Sequence, residues 1–274
     1  MEFYKFDGAG NDFILVDARQ SGWCPDAAEV AQLCHRRLGI GADGLMLLQD
    51  APDDAPDCQF SMVYFNSDGS RAAMCGNGGR CIALFAYLLG LAPQGKTPHL
   101  RFVADDGRHE AEVLLWDQEA QVGMVRLALC DVMRAGVRRC GEGWFLNTGV
   151  PHYVQRVEGL AGYDVEGEGR RIRQLPEWGP EGTNVDFIED ASDGRLVIRT
   201  YERGVEGETW ACGTGVTAAA IVSGNSRVSA KGGDFFVEFL ADSERYRQIT
   251  LTGPVSLNFT GQLPLEKKQL PVGN

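Results

Sequence analysis

The sequence predicts an α+β fold of two pseudo-symmetric, strand-rich domains, each wrapped around a central helix, with a candidate active site in the cleft between them. Three observations support this prediction. Patterns typical of strands outnumber those typical of helices across the 274 residues. A cysteine followed by Gly-x-Gly occurs twice, at Cys75 and Cys212, and each motif opens an apolar segment with helical character. The two motifs occupy matching places in the two halves of the chain.

Residues 1–118 are predicted to form the first domain. Apolar and alternating runs predict its strands, and Pro25-Asp26 opens an amphipathic segment that predicts a surface helix. The predicted elements are strands Glu2–Phe6, Phe13–Val16, Leu45–Leu48, Gln59–Asn66, Leu100–Ala104 and Glu110–Trp116, and helices Ala27–Leu38 and Cys81–Leu89.

Residues 119–274 are predicted to form the second domain. An alternative is that the last strands of the chain belong to the first domain. The polar patch Asp117–Ala120 marks the boundary. A Gly- and Arg-rich segment up to about Pro180 is interpreted as a loop, and the tail after Gly261 as loosely ordered. The predicted elements are strands Val122–Leu129, Trp144–Leu146, Leu196–Tyr201, Phe235–Leu240, Gln248–Leu251 and Val255–Phe259, and helix Val216–Val222.

Composition and charge argue against some classes of binding partner. The formal net charge of −12 argues against nucleic acid and anionic membrane, because both bind clustered Lys and Arg. No apolar run approaches the roughly 18–20 residues of a membrane span. The N-terminal stretch carries acids where a signal peptide has a basic and then an apolar run. We therefore expect a cytoplasmic protein.

The spacing of the cysteines and histidines does not match that of a metal-binding site. No Cys-x-x-Cys pair occurs and the four histidines are scattered, so no zinc is expected. The run Gly39–Gly44 formally spells GxGxxG, but a predicted helix precedes it and a strand follows, the reverse of a dinucleotide-binding loop. Six cysteines are interpreted as buried or incidental thiols, namely Cys24, Cys34, Cys58, Cys81, Cys130 and Cys140.

An internal repeat relates the two motifs. When Cys75 is aligned with Cys212, four further pairs fall into register 137 positions apart: Tyr64 with Tyr201, Asn66 with Arg203, Gly76 with Gly213, and Gly78 with Gly215. Both halves then read strand, polar turn, cysteine, Gly-x-Gly and helix. This repetition predicts two thiols that face a shared cleft, and clefts between domains are common ligand sites.

Two opposed thiols suit proton transfer at a carbon stereocentre. One thiolate removes a proton from one face, and the other thiol returns a proton to the opposite face. A free thiol has a pKa near ~8.5, and a helix N-terminus is expected to lower it towards working pH. The backbone amides of Gly76, Asn77, Gly213 and Thr214 are expected to hold an α-carboxylate and stabilise its developing charge. This chemistry requires no cofactor.

Seven blocks together resemble the diaminopimelate epimerase family, over a span from Phe3 to about Gly253. Any one block is common, whereas the ordered set is specific. The blocks are Gly8-Ala9-Gly10-Asn11-Asp12-Phe13, Gly39-Ile40-Gly41-Ala42-Asp43-Gly44, Asn66-Ser67-Asp68-Gly69-Ser70, Cys75-Gly76-Asn77-Gly78, Gly149-Val150-Pro151-His152, Tyr201-Glu202-Arg203-Gly204 and Cys212-Gly213-Thr214-Gly215.

The resemblance implies a cofactor-independent epimerase that interconverts LL- and meso-2,6-diaminoheptanedioate for lysine and peptidoglycan synthesis, and it implies a homodimer. It makes Cys75 the base for the LL isomer and Cys212 the base for the meso isomer. It also assigns binding roles. The residues that would hold the non-reacting end of the substrate are Asn11, Asn66, Asn184 and Arg203. The backbone at Gly76, Asn77, Gly213 and Thr214 would hold the reacting carboxylate. Glu202 would bind the amine and, together with His152, would tune the pKa values of the two thiols.

Two departures and several alternatives stay open. Val150 stands where many relatives have asparagine, and Gly44 where some have glutamine, which bears on substrate choice. A proline or hydroxyproline racemase would also use two cysteines, but a monocarboxylate offers no second end for Arg203 to hold. A non-catalytic binding protein is a further alternative. The polar candidates also have structural interpretations: Glu202 and Arg203 as a solvated charge pair, the asparagines as turn residues, and His152 as a core histidine.

Overall fold

A computed structural model of the protein describes residues 1–92 and 98–263. In these ranges the first half of the chain contains two helices. Its elements are β1 (Glu2–Gly8), β2 (Asn11–Asp17), α1 (Ala27–Cys34), β3 (Gly44–Gln49), β4 (Phe60–Asn66), β5 (Arg71–Ala72), α2 (Gly76–Leu88), β6 (His99–Ala104), β7 (Gly107–Asp117) and β8 (Val122–Ala128).

The described part of the second half also contains two helices. Its elements are β9 (Val132–Met133), β10 (Arg138–Cys140), β11 (Gly143–Asn147), β12 (Pro151–Arg156), α3 (Val165–Arg173), β13 (Asn184–Asp190), β14 (Leu196–Glu202), β15 (Gly207–Thr209), α4 (Gly213–Ser223), β16 (Arg227–Ala230), β17 (Gly233–Ala241) and β18 (Arg245–Gln262). Among the described helices, none is long and apolar enough to cross a membrane.

The strand pairing of the first half is repeated ten strands later. In the first half β1 pairs antiparallel with β2, β2 parallel with β3, and β3 antiparallel with β4. Strand β4 then pairs with both β5 and β6, and β6, β7 and β8 follow as antiparallel neighbours. Strands β11 to β18 repeat every one of these pairings in the same sense. The predicted pseudo-symmetry is confirmed.

A buried helix lies at the centre of each half. Ten of the thirteen residues of α2 are buried, and it packs against β1, β2, β3, β7, β8 and β18. Eight of the eleven residues of α4 are buried, against β11 to β14, β16 and β17. A helix that is apolar on all sides requires such enclosure. The predicted α+β class, with each half wrapped around a helix, is therefore confirmed.

The last strand joins the two halves. Strand β18 pairs with β17 along its first part, with β8 from Gly253 to Ser256, and with β1 along its last part. The sequence predicts two strands here, separated at Gly253-Pro254. The structure has one continuous strand instead, because the change of pairing partner takes place at these residues without ending the ladder.

Helix α3 lies in the segment before Pro180, and the prediction of a loop there is wrong. The Asp164 side chain caps its first turn, and acids in the first turn and arginines in the last turn complement the helix dipole. Gly169 lies directly against Tyr201, where a Cβ would overlap that side chain. The glycine that suggests a loop is thus required for close packing of the helix.

Helix α1 ends four residues earlier than predicted, at Cys34 rather than Leu38. His35 has an extended backbone, and its Nδ1 accepts hydrogen bonds from the backbone N–H groups of Arg37 and Leu38. This local bonding competes with continuation of the helix. The prediction of a loosely ordered tail falls, beyond Leu263, outside the described residues.

Candidate active site

Each predicted cysteine caps the N-terminus of a central helix. Cys75 precedes α2 and Cys212 precedes α4, both with extended backbone and without a side-chain cap bond. The two first turns face each other closely, since a Cβ placed on Gly76 would lie 3.9 Å from Gly213 Cα. The predicted placement of the two cysteines at opposed helix N-termini is confirmed. The unpaired N–H groups of both helices therefore point into one small region between the halves.

Asn77 ties the two helix starts together. Its Nδ2 donates to the carbonyl oxygen of Ala211 at 2.9 Å, immediately before Cys212, and also lies 3.5 Å from Asn11 Oδ1. Arg80 Nη2 donates to Asn77 Oδ1 at 2.9 Å, which fixes the orientation of the amide. The Cys75 thiol donates to the same Asn11 oxygen at 3.7 Å. Asn11, Cys75 and Asn77 are thus brought together as predicted.

A charge cluster holds Asn11 in position. Asn11 Nδ2 donates to Asp43 at 2.7 Å, and the guanidinium of Arg36 bridges Asp43 and Asp12. Buried Lys5 forms an ion pair with Asp12 at 2.5 Å. Burial would raise the pKa of Asp12, but its bonds to Arg36 and Lys5 prevail and lower it to about 2. The Asp12 carboxylate therefore remains charged, and the bond to Asp43 orients the Asn11 amide with its oxygen towards Cys75.

Cys212 lies at the end of a hydrogen-bonded chain that runs into the buried interior of the second half. Its sulfur is 3.3 Å from Thr214 Oγ1, which is 2.9 Å from His152 Nε2. His152 Nδ1 bonds Asp186 Oδ2 at 2.7 Å, and Asp186 also accepts from Thr200 at 2.7 Å. His152 and Asp186 are fully buried. His152 is therefore connected to Cys212 through a hydroxyl group rather than by direct contact.

The prediction that the helix N-termini lower both thiol pKa values is wrong for this structure. Burial raises the pKa of Cys75, Glu202 acts in the same direction, and the amides of Gly78 and Asn77 and the charge of Arg80 oppose it only in part. Burial raises the pKa of Cys212 well above its usual value, with Glu202 and Asp186 adding to the rise. Desolvation of the charged form outweighs the helix dipole.

Three predicted residues, His152, Asn184 and Glu202, lie together on the neighbouring strands β12, β13 and β14. His152 pairs with Asn184 between β12 and β13, and the antiparallel register of β13 and β14 places Glu202 beside Asn184. Burial raises the pKa of Glu202, and the carboxylates of Asp186 and Asp43 contribute to the rise. The carboxyl of Glu202 in turn contributes to raising the pKa of both thiols.

Arg203 extends this group towards the surface. Its backbone N–H donates to Asn184 Oδ1 at 2.8 Å, which fixes the orientation of that amide. Its guanidinium forms an ion pair with Glu181 at 3.2 Å, and Glu181 is largely exposed. The arginine is therefore held at the edge of the site by a solvated carboxylate that a ligand can replace.

The side chain of Asn66 forms no hydrogen bond with the other predicted site residues in the described part of the chain. Its side chain donates to Ser70 at 3.1 Å, within its own turn, and the described residues include no other side-chain partner for it. The sheet register does place it opposite Gly44 at the end of β4. A Cβ on Gly44 would lie 2.6 Å from the Tyr64 ring and from the Phe65 oxygen, so no side chain fits there.

Sequence reasoning missed Asp186 and Arg80. Asp186 shares a strand face with Asn184, two residues earlier, and this period-2 relation is the signal that would have revealed it. Arg80 is the one charged residue in an otherwise apolar helix segment, four positions after Gly76. Such a residue is rarely buried without a role.

Comparison with known proteins agrees with the motifs. The family model described as "Diaminopimelate epimerase" matches residues 3–126 and 144–257. A diaminopimelate epimerase of Flavobacterium psychrophilum is 40% identical over 268 residues, which are 94% of this chain and 98% of that relative. One of Chlorobaculum tepidum is 41% identical over 267 residues, covering 94% of this chain and 99% of the relative.

Solved structures agree on the fold. A probable proline racemase from Agrobacterium radiobacter superposes with a TM-score of 0.67 at 16% identity, over 97% of this chain and 93% of that protein. At this identity the likeness concerns architecture alone. The family match covers most of both halves, and it is supported by relatives of about 40% identity along nearly their full length. The chain belongs to the diaminopimelate epimerase family.

Proposed function

We propose that this protein interconverts LL- and meso-2,6-diaminoheptanedioate, and thereby serves lysine and peptidoglycan precursor synthesis. The observation that carries the proposal is the pair of cysteines at facing helix N-termini, with Gly76 against Gly213. Membership of the diaminopimelate epimerase family supports the identity of the proposed substrate. An isomerase of amino acids is consistent with the whole arrangement.

The reaction is a proton transfer between two bases. The Cys75 thiolate takes the α-proton from the LL isomer, so that a C–H bond breaks and an S–H bond forms. The electron pair left on the carbon is delocalised into the α-carboxylate, and Cys212 gives its proton to the opposite face. The enzyme then holds the thiolate on Cys212, which suits the reverse reaction of the meso isomer.

The helix N-termini supply the stabilisation that this carbanion requires. Amides at Gly76, Asn77, Gly213 and Thr214 lie in the first turns of α2 and α4 and would donate to the α-carboxylate. Preorganised donors of this kind lower the energy of developing negative charge.

The distal end of the substrate determines the specificity in this proposal. Arg203 would exchange its ion pair with Glu181 for the second carboxylate, in a bidentate contact. Asn11, Asn66 and Asn184 would complete the binding of this end, and Glu202 would hold the amine. A substrate with only one carboxylate would leave the Arg203 guanidinium without a carboxylate to bind.

Chiral chromatography of both substrate classes tests the proposal. The purified protein should convert LL-diaminoheptanedioate to the meso isomer and leave L-proline and trans-4-hydroxy-L-proline unchanged. Turnover of either proline compound, without turnover of the diamino acid, would favour the racemase alternative. Binding without turnover of either would favour a non-catalytic protein.

We also propose a cytoplasmic homodimer, without nucleic-acid or membrane partners. The support is the net charge of −12 and the family resemblance. Light scattering coupled to size exclusion tests the oligomeric state, and a monomer mass at micromolar concentration would contradict it.

A further inference from the structure

Each half of the protein has a row of three residues that lie side by side on neighbouring strands. In the first half the row crosses β2, β3 and β4 and consists of Phe13, Gly44 and Asn66. In the second half the row crosses β12, β13 and β14 and consists of His152, Asn184 and Glu202.

Contacts with the central helices show that the two rows are equivalent. Phe13 packs against the first turn of α2, and His152 packs against the first turn of α4. Gly44 is the strand neighbour of Phe13, and Asn184 is the strand neighbour of His152. Gly44 therefore occupies in the first half the position that Asn184, a predicted binding residue, occupies in the second.

The ring of Tyr64 fills the space over Gly44. Tyr64 precedes Asn66 by two residues in β4, so both side chains point to the same face of that strand. A Cβ placed on Gly44 would lie 2.6 Å from Tyr64 Cε2 and 3.4 Å from Cζ, the atom that carries the hydroxyl group. The phenol end of Tyr64 thus lies over the position that corresponds to Asn184.

The counterpart of Tyr64 in the second half has a different role. By the strand register this counterpart is Thr200, one residue before Tyr201, with which alignment on the cysteines pairs it. Thr200 Oγ1 donates to buried Asp186 Oδ1 at 2.7 Å. In the second half, the polar group of the row is therefore the Asn184 amide itself. In the first half Gly44 has no side chain, and the strand beside it supplies a phenol instead.

Proposed substrate-binding side chains lie on both sides of Gly44. Asn66 is its direct neighbour in β4. On the other side Asp43, the residue before Gly44, accepts a hydrogen bond from Asn11 Nδ2 at 2.7 Å. The phenol of Tyr64 therefore lies between two groups that are proposed to bind the same end of the substrate.

The hydroxyl group of Tyr64 is available to a ligand. Only 8% of the residue is exposed, yet its oxygen forms no hydrogen bond with residues 1–92 or 98–263 and is not sealed from solvent. Burial raises the pKa of the phenol, and Cys75, Asp43 and Glu202 add to the rise. The phenol therefore stays protonated at neutral pH and can donate a hydrogen bond.

We propose that Tyr64 is a further substrate-binding residue, whose phenol donates a hydrogen bond to the carboxylate at the non-reacting end of the substrate. This inference rests on the proposed function. The amine at that end is a cation that only donates, so the carboxylate is the acceptor there. Together with Arg203, Tyr64 would give this carboxylate donors from both halves of the protein.

The contact would contribute to specificity. A buried donor that finds no acceptor is costly, so a site built around one rejects ligands that lack the matching group. L-Lysine matches LL-diaminoheptanedioate except that it lacks the second carboxylate. Tyr64 should therefore favour the dicarboxylate over L-lysine.

Tyr64→Phe tests the proposal, because it removes the hydroxyl group and keeps the ring over Gly44. Steady-state kinetics should show kcat/KM for LL-diaminoheptanedioate lowered about 10- to 100-fold, the usual effect of losing a hydrogen bond to a charged group. The change should appear mainly in KM, because the non-reacting end is bound alike in the ground and transition states. An unchanged KM, or a loss confined to kcat, would overturn the proposal.

Thermal unfolding separates binding from a structural role. The Tyr64 hydroxyl bonds to none of the described residues, so Tyr64→Phe should melt at the wild-type temperature. Tyr4→Phe, which removes an exposed hydrogen bond to Glu2 at 2.9 Å, is the matched control and should keep the wild-type KM. A lower melting temperature of Tyr64→Phe with a wild-type KM would show that the hydroxyl serves the fold alone.

Competitive inhibition by L-lysine identifies the group that the phenol contacts. In Tyr64→Phe the inhibition constant of L-lysine should stay within about 2-fold of wild type, whereas KM for the dicarboxylate rises. Equal weakening of both ligands would overturn the assignment to the second carboxylate. If L-lysine inhibits neither protein, the KM and the melting temperature decide.

Failure of the proposed function would be seen separately, as absence of turnover of LL-diaminoheptanedioate by the wild-type protein. Normal turnover with the same KM in wild type and Tyr64→Phe would contradict the role of Tyr64 alone.

Discussion

Asn77 Nδ2 and the carbonyl oxygen of Ala211 form a 2.9 Å buried hydrogen bond that joins the first helix of the site to the residue before the second cysteine. The bond links positions 134 residues apart in sequence. Because Arg80 fixes the Asn77 amide from the other side, this side chain helps to hold the two helix N-termini at their spacing.

Removal of that amide should loosen the site. Asn77→Ala leaves the Ala211 oxygen unsatisfied and is expected to lower the free energy of unfolding by about 1 to 3 kcal/mol and to reduce kcat more than affinity. Chemical denaturation and steady-state kinetics measure the two effects. Asn225→Ala, which breaks an exposed bond to the Gly194 oxygen, is the control and should change neither by much. Wild-type kcat in Asn77→Ala would contradict the linking role.

Each cysteine should be indispensable for epimerisation. Cys75→Ala or Cys212→Ala removes one acid or base and should reduce kcat by at least about 10²–10⁴-fold, the usual contribution of a positioned proton donor or acceptor. Cys130→Ala, at an exposed thiol, is the control and should keep wild-type activity. Substantial turnover by either site variant would rule out a two-base reaction.

The Asp186 carboxylate should affect the pH dependence of catalysis and not only the folding of the protein. Asp186→Asn replaces the acceptor that holds His152 Nδ1–H and allows the opposite tautomer, so the Thr214 hydroxyl no longer has a fixed direction. We expect a lower kcat and a changed pH dependence of kcat/KM. Asp190→Asn, on the same strand but exposed and paired with Arg156, is the control. A uniform loss of activity at every pH would indicate a structural role only.

Acid stability should depend on Asp12. Its pKa in the folded protein is about 2, below the usual value, so its stabilisation is complete above about pH 4 and is lost as the pH falls towards 2. Asp12→Asn should therefore be less stable than wild type at pH 7, and the difference should shrink below pH 4. Urea titrations at a series of pH values measure it. A difference that is constant from pH 7 to pH 2 would contradict the assignment.

Mild oxidation should inactivate the protein reversibly. All eight cysteines lie in the described ranges as free thiols, and two of them cap helices whose first turns are in close approach. Diamide treatment should link Cys75 to Cys212, with loss of activity that dithiothreitol restores. Peptide mapping identifies the crosslink. Full activity after oxidation, without this disulfide, would count against the opposed arrangement.

Sequence patterns predicted those parts of the site that depend on residues close together in the sequence. The Gly-x-Gly sequences located both helix starts, and the structure places Gly76 opposite Gly213. The repeat predicted the second half from the first. Helix α3 escaped prediction because its Gly169 serves packing against Tyr201, a contact with a strand far away in sequence. The thiol pKa directions were also beyond reach, because desolvation depends on the complete enclosure of the site.

Solvent deuterium exchange tests the two-base reaction most directly. LL-diaminoheptanedioate is incubated with the enzyme in D2O, and both isomers are separated by chiral chromatography and analysed by mass spectrometry at low conversion. If Cys75 removes the proton and Cys212 supplies a solvent-derived one, the meso product carries one deuterium at its new centre while the remaining LL substrate is still unlabelled. Protium retained in the product, or equal labelling of both isomers from the start, would contradict this reaction.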